Sequence, residues 1–146
     1  MELLFAYGSL LLKTGNMQVD KAMSQAGEIL GRGFIRARLY DLGQYPGALE
    51  LAGTKEGAEP EARVWGRLLA LRDPAAFFAI VDEYEGYFRE RPQDSEFIRV
   101  ETLVFLPETS KSYTSHVYYY NQSVQGKEAI LNGDYLAFRQ SKERSR

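Results

Sequence analysis

The stretch DPAAFFAIVDEYEG, residues 73–86, carries the clearest local structural signal in the chain. Asp73 is suited to cap a helix, and Pro74 fits the first helical position because its missing N–H would have no partner there. Gly86 is typical of the residue that ends a helix, since glycine adopts the left-handed conformation at little cost. The pattern therefore predicts a helix from Pro74 to about Glu85.

Apolar patterns on both sides of this helix predict strands. The predicted strands cover residues 3–7, 29–40, 48–52, 63–71, 96–106 and 113–121. A weaker helix is predicted over residues 17–25, and a short terminal helix from Gly133-Asp134. Gly66, inside one strand, indicates a bulge or a close backbone approach. These elements predict a mixed α/β or α+β fold, with a small central β-barrel or mixed sheet and flanking helices.

The length and composition suit a single globular domain. The chain has 146 residues, of which 45% are hydrophobic and 26% charged. Neither an internal repeat nor a linker is visible, although residues 53–60 form a polar break. We therefore expect one domain over residues 1–146, with a charged tail at about residues 139–146 that frays.

The charge balance and the residue types exclude several classes of function. A formal net charge of -2 gives no support for a nucleic-acid partner. The absence of cysteine excludes disulfides, thiolate catalysis and zinc–cysteine sites. The start of the chain does not resemble a signal peptide, and no apolar run approaches a membrane span. We expect a cytoplasmic protein without a membrane partner.

Glu85 is the carboxylate whose predicted position is most unusual. At 100° per residue, Phe77, Val81, Tyr84 and Phe88 fall on one side of the helix wheel, and Glu85 lies close to that side. Burial and the helix C-terminus would both raise the pKa of Glu85 toward a value suited to proton transfer.

Helical periodicity alone favours a different role for Glu85. A partly buried glutamate can form a structural ion pair, here with Arg89 or Arg99, and such pairs also perturb pKa values. Glu83 points outward on the same helix and should be solvated.

Two further segments could bind a small polar substrate. Tyr7-Gly8-Ser9-Leu10 follows a predicted buried strand, and such a turn can direct several backbone N–H groups toward an anion. By itself the motif is weak and favours a simple turn in which glycine takes a positive φ. In Tyr118-Tyr119-Tyr120 the first and third rings share a face, which would suit a pocket or ordinary sheet packing. The single histidine, His116, is interpreted as structural or exposed.

Several short motifs, in order along the chain, resemble the gamma-glutamylcyclotransferase-like (AIG2-like) family over nearly its whole length. Asp82-Glu83-Tyr84-Glu85-Gly86-Tyr87 resembles the family segment whose glutamate is catalytic. Tyr7-Gly8-Ser9-Leu10 resembles its substrate loop. The other matching segments are Leu39-Tyr40-Asp41-Leu42-Gly43 with Tyr45-Pro46, Val64-Trp65-Gly66, Phe97-Ile98-Arg99, Val117-Tyr118-Tyr119-Tyr120-Asn121 and Gly133-Asp134-Tyr135.

The resemblance implies a compact barrel with a cavity between the Y-G-S-L loop and Glu85. It implies an enzyme in which the substrate's α-amine attacks its own γ-glutamyl carbonyl, leaving 5-oxoproline, with Glu85 as the acid and base. The substrate-binding residues it implies are Tyr7, Gly8, Ser9, Leu10, Tyr45 and Tyr118. It implies no metal and no organic cofactor. The alternative is a small-molecule-binding or regulatory domain that keeps the cavity without turnover.

Overall fold

A closed five-stranded barrel forms the centre of the protein. The computed structural model describes residues 1–51 and 62–144. Its strands are β1 (Leu3–Ala6), β2 (Gly27–Asp41), β3 (Pro46–Glu50), β4 (Arg63–Leu71), β5 (Phe97–Leu106), β6 (Lys111–Tyr120) and β7 (Glu128–Ala129). Its helices are α1 (Met17–Ser24), α2 (Pro74–Glu85) and α3 (Tyr135–Arg144), with 3-10 turns at Ser9–Leu11 and Pro92–Asp94. The mixed α+β prediction is confirmed.

The barrel closes because β2 pairs with strands on both of its sides. The strand order is β2-β4-β1-β6-β5, and the pairing of Phe34 with Phe105 joins β5 back to β2. All of these pairings are antiparallel except β1 with β6. The far end of β2 extends beyond the barrel, where it pairs with β3 and β7. The predicted strands 3–7, 63–71, 96–106 and 113–121 therefore lie in one sheet, together with the predicted strand 29–40.

Alternate residues of the barrel strands form two separate cores. Phe5, Ile35 and Tyr119 belong to a cluster that contains side chains from all five barrel strands. Leu4 and Tyr118 instead join Val81 of α2 in a second cluster, which lies between the sheet and helices α1 and α2. Because successive strand residues point to opposite faces, β1 contributes to both cores and is buried along its whole length.

Helix α2 has the predicted bounds, and its two ends explain why. The Asp73 side chain accepts a hydrogen bond from the Ala76 N–H at 3.2 Å, and Gly86 ends the helix with φ 69°. Phe88 lies beyond this turn and is 42% exposed, so its predicted place on the buried side is wrong. The left-handed turn at Gly86 redirects the chain before Phe88 can continue the helical face.

Other boundaries differ modestly from the predictions. Strand β3 begins at Pro46, two residues earlier than expected, while residues 52–61 lie outside the described ranges. Helix α3 continues to Arg144, so the charged tail is helical through residue 144. Gly66 is required by a close backbone approach, because a Cβ there would lie 2.2 Å from the Ala6 carbonyl oxygen. No helix in the described ranges is long and apolar enough to cross a bilayer.

Candidate active site

Glu85 is buried at the C-terminal end of α2 and faces a cleft in the barrel surface. Its side chain is 7% exposed, whereas Glu83 is exposed, as the helical pattern predicted. The cleft is lined by Phe5, Ala6, Tyr7, Gly8, Ser9, Leu10, Pro46, Glu85, Phe97 and Tyr118. Five of the six predicted substrate-binding residues therefore share a cleft with the predicted catalytic glutamate.

The environment of Glu85 favours its protonated form. Burial, followed by the negative charges of Glu96 and Asp82, raises the pKa of Glu85 to about 8. None of the groups that act on this pKa within the described residues is a cation. Arg99, considered above as an ion-pair partner for Glu85, pairs instead with Asp82, and Arg89 is exposed. The carboxyl group of Glu85 is therefore poised to exchange a proton near neutral pH.

Glu96 is a second carboxylate close to this helix end. A Cβ on Gly86 would lie 3.4 Å from the Glu96 Cβ and 3.9 Å from its Oε1. The Tyr45 hydroxyl donates a short hydrogen bond to Glu96 Oε2. Tyr45 is consequently tied to Glu96 beside the cleft, and its neighbour Pro46 lines the cleft instead.

The Y-G-S-L loop forms the wall of the cleft nearest Pro46. Gly8 has φ -134°, so the positive φ considered for it is not found. Glycine is required there for space, because a Cβ would lie 2.6 Å from Pro46 Cγ. The Leu11 and Leu12 amides close the 3-10 turn onto the carbonyls of Gly8 and Ser9, at 2.9 and 3.0 Å. The amides of Gly8, Ser9 and Leu10 come before Leu11 and Leu12 in the sequence, so they are not the donors that close this turn.

The side chain of Tyr7 points into the barrel core. Its hydroxyl donates to the Tyr118 carbonyl oxygen at 2.5 Å and accepts from the Ala48 N–H at 3.0 Å. Burial, the largest cause, raises the pKa of Tyr7 above its ordinary value, so the phenol keeps its proton. Tyr7 thereby joins β6 to β3 behind the cleft.

The cleft is narrow in this conformation. Its cavity volume is about 20 Å³, which is room for about one water molecule. A substrate larger than water must therefore widen the cleft when it binds.

Comparison with known protein families assigns the chain to one of them. A family model described as Gamma-glutamyl cyclotransferase, AIG2-like, matches residues 4–137. The chain belongs to this family. The match spans every motif quoted above, from the Y-G-S-L loop to Gly133-Asp134-Tyr135.

Solved structures share the fold of this AIG2-like domain. The uncharacterized protein PH0828 from Pyrococcus horikoshii has TM-score 0.62 and 16% identity, over 99% of this chain and 98% of that one. Protein ytfP from Escherichia coli has TM-score 0.58 and 26% identity, over 94% and 98%. YkqA from Bacillus subtilis has TM-score 0.65 and 17% identity, over 99% of this chain but 43% of YkqA. Among curated proteins, no match is found.

Within this AIG2-like site, sequence reasoning missed the roles of Asp82, Glu96 and Pro46. The Tyr118 hydroxyl donates to Asp82 Oδ1 at 2.6 Å, and Arg99 bonds both oxygens of the same carboxylate. Asp82 precedes Glu85 by three residues, which places the two on neighbouring parts of the helix surface. That spacing was the available signal for Asp82. No local pattern connects Glu96 or Pro46 to Glu85.

Proposed function

We propose that this protein is a gamma-glutamylcyclotransferase that uses Glu85 as both general base and general acid. In the proposed reaction, the α-amine nitrogen of a γ-glutamyl compound attacks its own γ-carbonyl carbon. The bond from that carbon to the leaving nitrogen then breaks. The products are 5-oxoproline and a free amine or amino acid.

A single observation carries this proposal: a buried carboxyl group, with a pKa near 8 and no cation among its described influences, faces the Y-G-S-L loop. The substrate's ammonium group must lose one proton before attack. An ionised Glu85 can accept that proton and then deliver it to the departing nitrogen. The attacking nitrogen loses a second proton as it becomes the lactam N–H, and Glu85 can pass this proton to the amine product, which leaves as an ammonium. The glutamate ends the cycle in its starting state, so the reaction balances without an oxidant, a reductant or a cofactor.

Positioning supplies the other part of the proposed mechanism. The attack is intramolecular, so the protein must mainly hold the substrate in a folded conformation. The amides of Gly8, Ser9 and Leu10 are proposed to bind the α-carboxylate or the oxyanion that develops on the γ-carbonyl. Tyr118, which shares the cleft with Glu85, is proposed to contact the substrate. Tyr45 is proposed to act at the edge of the site, through its hydrogen bond to Glu96.

The proposal treats residues 1–146 as one domain that acts in the cytoplasm on a small γ-glutamyl substrate. Family membership and the position of Glu85 support the reaction type.

A second candidate is a binding or regulatory domain that retains the cleft without turnover. The small cavity volume, about 20 Å³, favours this alternative because a γ-glutamyl compound does not fit without movement, whereas a smaller ligand requires less. The two candidates differ in a product that can be measured directly.

The deciding experiment is a screen for 5-oxoproline release from γ-glutamyl compounds. The panel should include γ-glutamyl dipeptides, glutathione, γ-glutamyl-ε-lysine and other γ-glutamylamines. Release by the wild-type protein, and none by Glu85→Gln, is the expected result. Binding of a panel member without any 5-oxoproline would instead establish the second candidate.

A further inference from the structure

Asp82 lies at the centre of a hydrogen-bonded chain that runs from the protein surface to the cleft. Arg99 donates from Nε to Asp82 Oδ1 at 2.9 Å and from Nη2 to Oδ2 at 3.1 Å. The Tyr118 hydroxyl donates to the same Oδ1 at 2.6 Å. Because Tyr118 lines the cleft with Glu85, this chain ends at the candidate active site.

Arg99 is held in one orientation by neighbours on several sides. Its guanidinium lies 3.8 Å from the centre of the Phe78 ring, and its Nη1 lies 3.1 Å from His116 Nδ1. A guanidinium can only donate, so His116 Nδ1 is the acceptor of this contact, and His116 Nε2 faces Glu2. The side chains of Arg99 and Asp82 are only 13% and 17% exposed. A guanidinium held in this way fixes the positions of both oxygens of the Asp82 carboxylate.

The bond to Asp82 determines how Tyr118 can interact with a substrate. A carboxylate only accepts hydrogen bonds, so the single hydroxyl proton of Tyr118 is committed to Asp82. Burial, then the hydrogen bond and charge of Asp82, raises the pKa of Tyr118 above its ordinary value, and the phenol stays protonated. The remaining capacity of the hydroxyl oxygen is to accept, which suits an N–H group of a substrate.

Asp82 also acts on Glu85 through its charge. The two residues are three positions apart on α2, and the negative charge of Asp82 contributes to the raised pKa of Glu85, after burial and Glu96. Asp82 therefore affects two groups of the cleft without itself lining it.

We propose that Asp82, held by Arg99, is a positioning residue of this site: it fixes Tyr118 as a hydrogen-bond acceptor for a substrate N–H and places a negative charge about one helical turn before Glu85. The inference rests on the proposed function. The competing interpretation is that the Asp82–Arg99 pair only anchors α2 to β5. That role would affect stability without affecting the titration of Glu85.

The first test needs no substrate. The Glu85 carboxyl resonance is followed by NMR in protein labelled with ¹³C-glutamate, and it is assigned by its loss in Glu85→Gln. Asp82→Asn should lower the pKa of Glu85 by about one unit, because a nearby like charge is removed. Glu83→Gln is the matched control, since it removes a carboxylate from the outward face of the same helix turn. An unchanged Glu85 titration in a folded Asp82→Asn protein would overturn the inference.

The second test keeps every charge and so covers the case in which Asp82→Asn does not fold. Arg99→Lys retains the positive charge but loses the planar guanidinium, which donates to both oxygens of Asp82. The hydroxyl proton of Tyr118, identified by its loss in Tyr118→Phe, should exchange faster in Arg99→Lys than in wild type. Unchanged exchange would contradict the role given to Arg99.

Kinetics then connect the pair to the reaction. In Arg99→Lys, kcat should fall by roughly 10- to 100-fold, as expected when a reacting group is misplaced. In Asp82→Asn, the acid limb of kcat/KM should also move to lower pH. An unchanged kcat in Arg99→Lys would contradict the inference. If the wild-type protein released no 5-oxoproline from any compound, the proposed function would fail, and the two NMR tests would still decide the role of Asp82.

Discussion

The Tyr7 hydroxyl donates to the Tyr118 carbonyl at 2.5 Å, which ties the start of the Y-G-S-L loop to the strand that carries the cleft tyrosine. The same hydroxyl accepts from the Ala48 N–H at 3.0 Å, so it also connects β3. Two features of the sequence, a tyrosine before a glycine turn and a tyrosine-rich strand, thus meet behind the cleft. Tyr7 contributes to the site through the backbone that it holds.

Tyr7→Phe should therefore destabilise the protein. The substitution leaves a buried carbonyl and a buried N–H without this partner, which typically costs about 1–3 kcal/mol. Urea unfolding measures the loss. Tyr113→Phe removes a hydroxyl from a partly buried ring packed against the same core and should cost less. Equal losses in the two variants would show that the Tyr7 hydroxyl has no special role.

Glu85→Gln should abolish turnover while the fold persists. Gln keeps the size of the side chain and can still form hydrogen bonds, but it cannot carry a proton between the two nitrogens. A positioned acid or base contributes roughly 10²–10⁴-fold, and Glu85 is proposed to serve two transfers, so the rate should fall by at least that factor. Substrate binding should survive, and Glu83→Gln should retain full activity. An active Glu85→Gln enzyme would end the proposed mechanism.

The stability difference between Glu85→Gln and wild type should depend on pH. The pKa of Glu85 is raised from 4.5 to about 8 in the folded protein, so folding favours its protonated form. This contribution is fully present below pH 4.5 and is lost as the pH rises through about 8. The Glu85→Gln protein does not lose this stability, because glutamine does not titrate. Its free energy of unfolding, relative to that of wild type, should therefore increase between pH 5 and 9, by up to roughly 5 kcal/mol, in paired denaturant titrations. A constant difference would show that Glu85 titrates normally.

The pH profile of kcat/KM should rise toward pH 8 with unit slope. Below the pKa of Glu85, about 8, the Glu85 carboxyl and the substrate's α-amine both carry a proton, whereas the reaction requires that one of the two has lost it. The profile should fall again where the substrate's α-amine loses its proton. The same pH dependence follows if a neutral amine binds to protonated Glu85. This complex contains the same number of protons as ionised Glu85 with the ammonium substrate. A profile that is flat from pH 5 to 8 would exclude Glu85 as the titrating group.

Gly8→Ala should impair the site more than the fold. The added Cβ would lie 2.6 Å from Pro46 Cγ, so either the loop or the proline must move, and both line the cleft. We expect kcat/KM to fall about 10-fold or more, since misplacement of binding groups is costly. Gly126→Ala is the control, because Gly126 has φ 77° and nothing within 4 Å of its added Cβ. It should lose some stability and no activity.

Local signals predicted the elements of the site better than their arrangement. The bounds of α2 followed from Asp73, Pro74 and Gly86, whose effects act within one or two helical turns. The inward position of Glu85 followed from helical periodicity. The same periodicity failed for Phe88, because it assumes a helix that Gly86 has already ended.

Partners that lie far apart in the sequence escaped prediction. Arg99 was considered as a partner for Glu85, but the helix presents Asp82 to it instead. Glu96 contributes to the raised pKa of Glu85 from the residue just before β5, and Pro46 reaches the cleft from the start of β3. Such contacts depend on strand pairing and register, which adjacent residues do not encode.

By itself, the sequence determined the α+β class, the bounds of α2, the inward glutamate and the resemblance that family comparison confirms. These properties depend on short-range periodicity, capping chemistry and motif order. Only the tertiary structure decided that Glu85 has carboxylates rather than an arginine as its charged neighbours, and that the hydroxyls of Tyr7 and Tyr45 are already engaged. The physical reason is that barrel closure juxtaposes residues such as Tyr7 and Tyr118, which are 111 positions apart in the sequence, and burial and Coulomb interactions depend on distances in space.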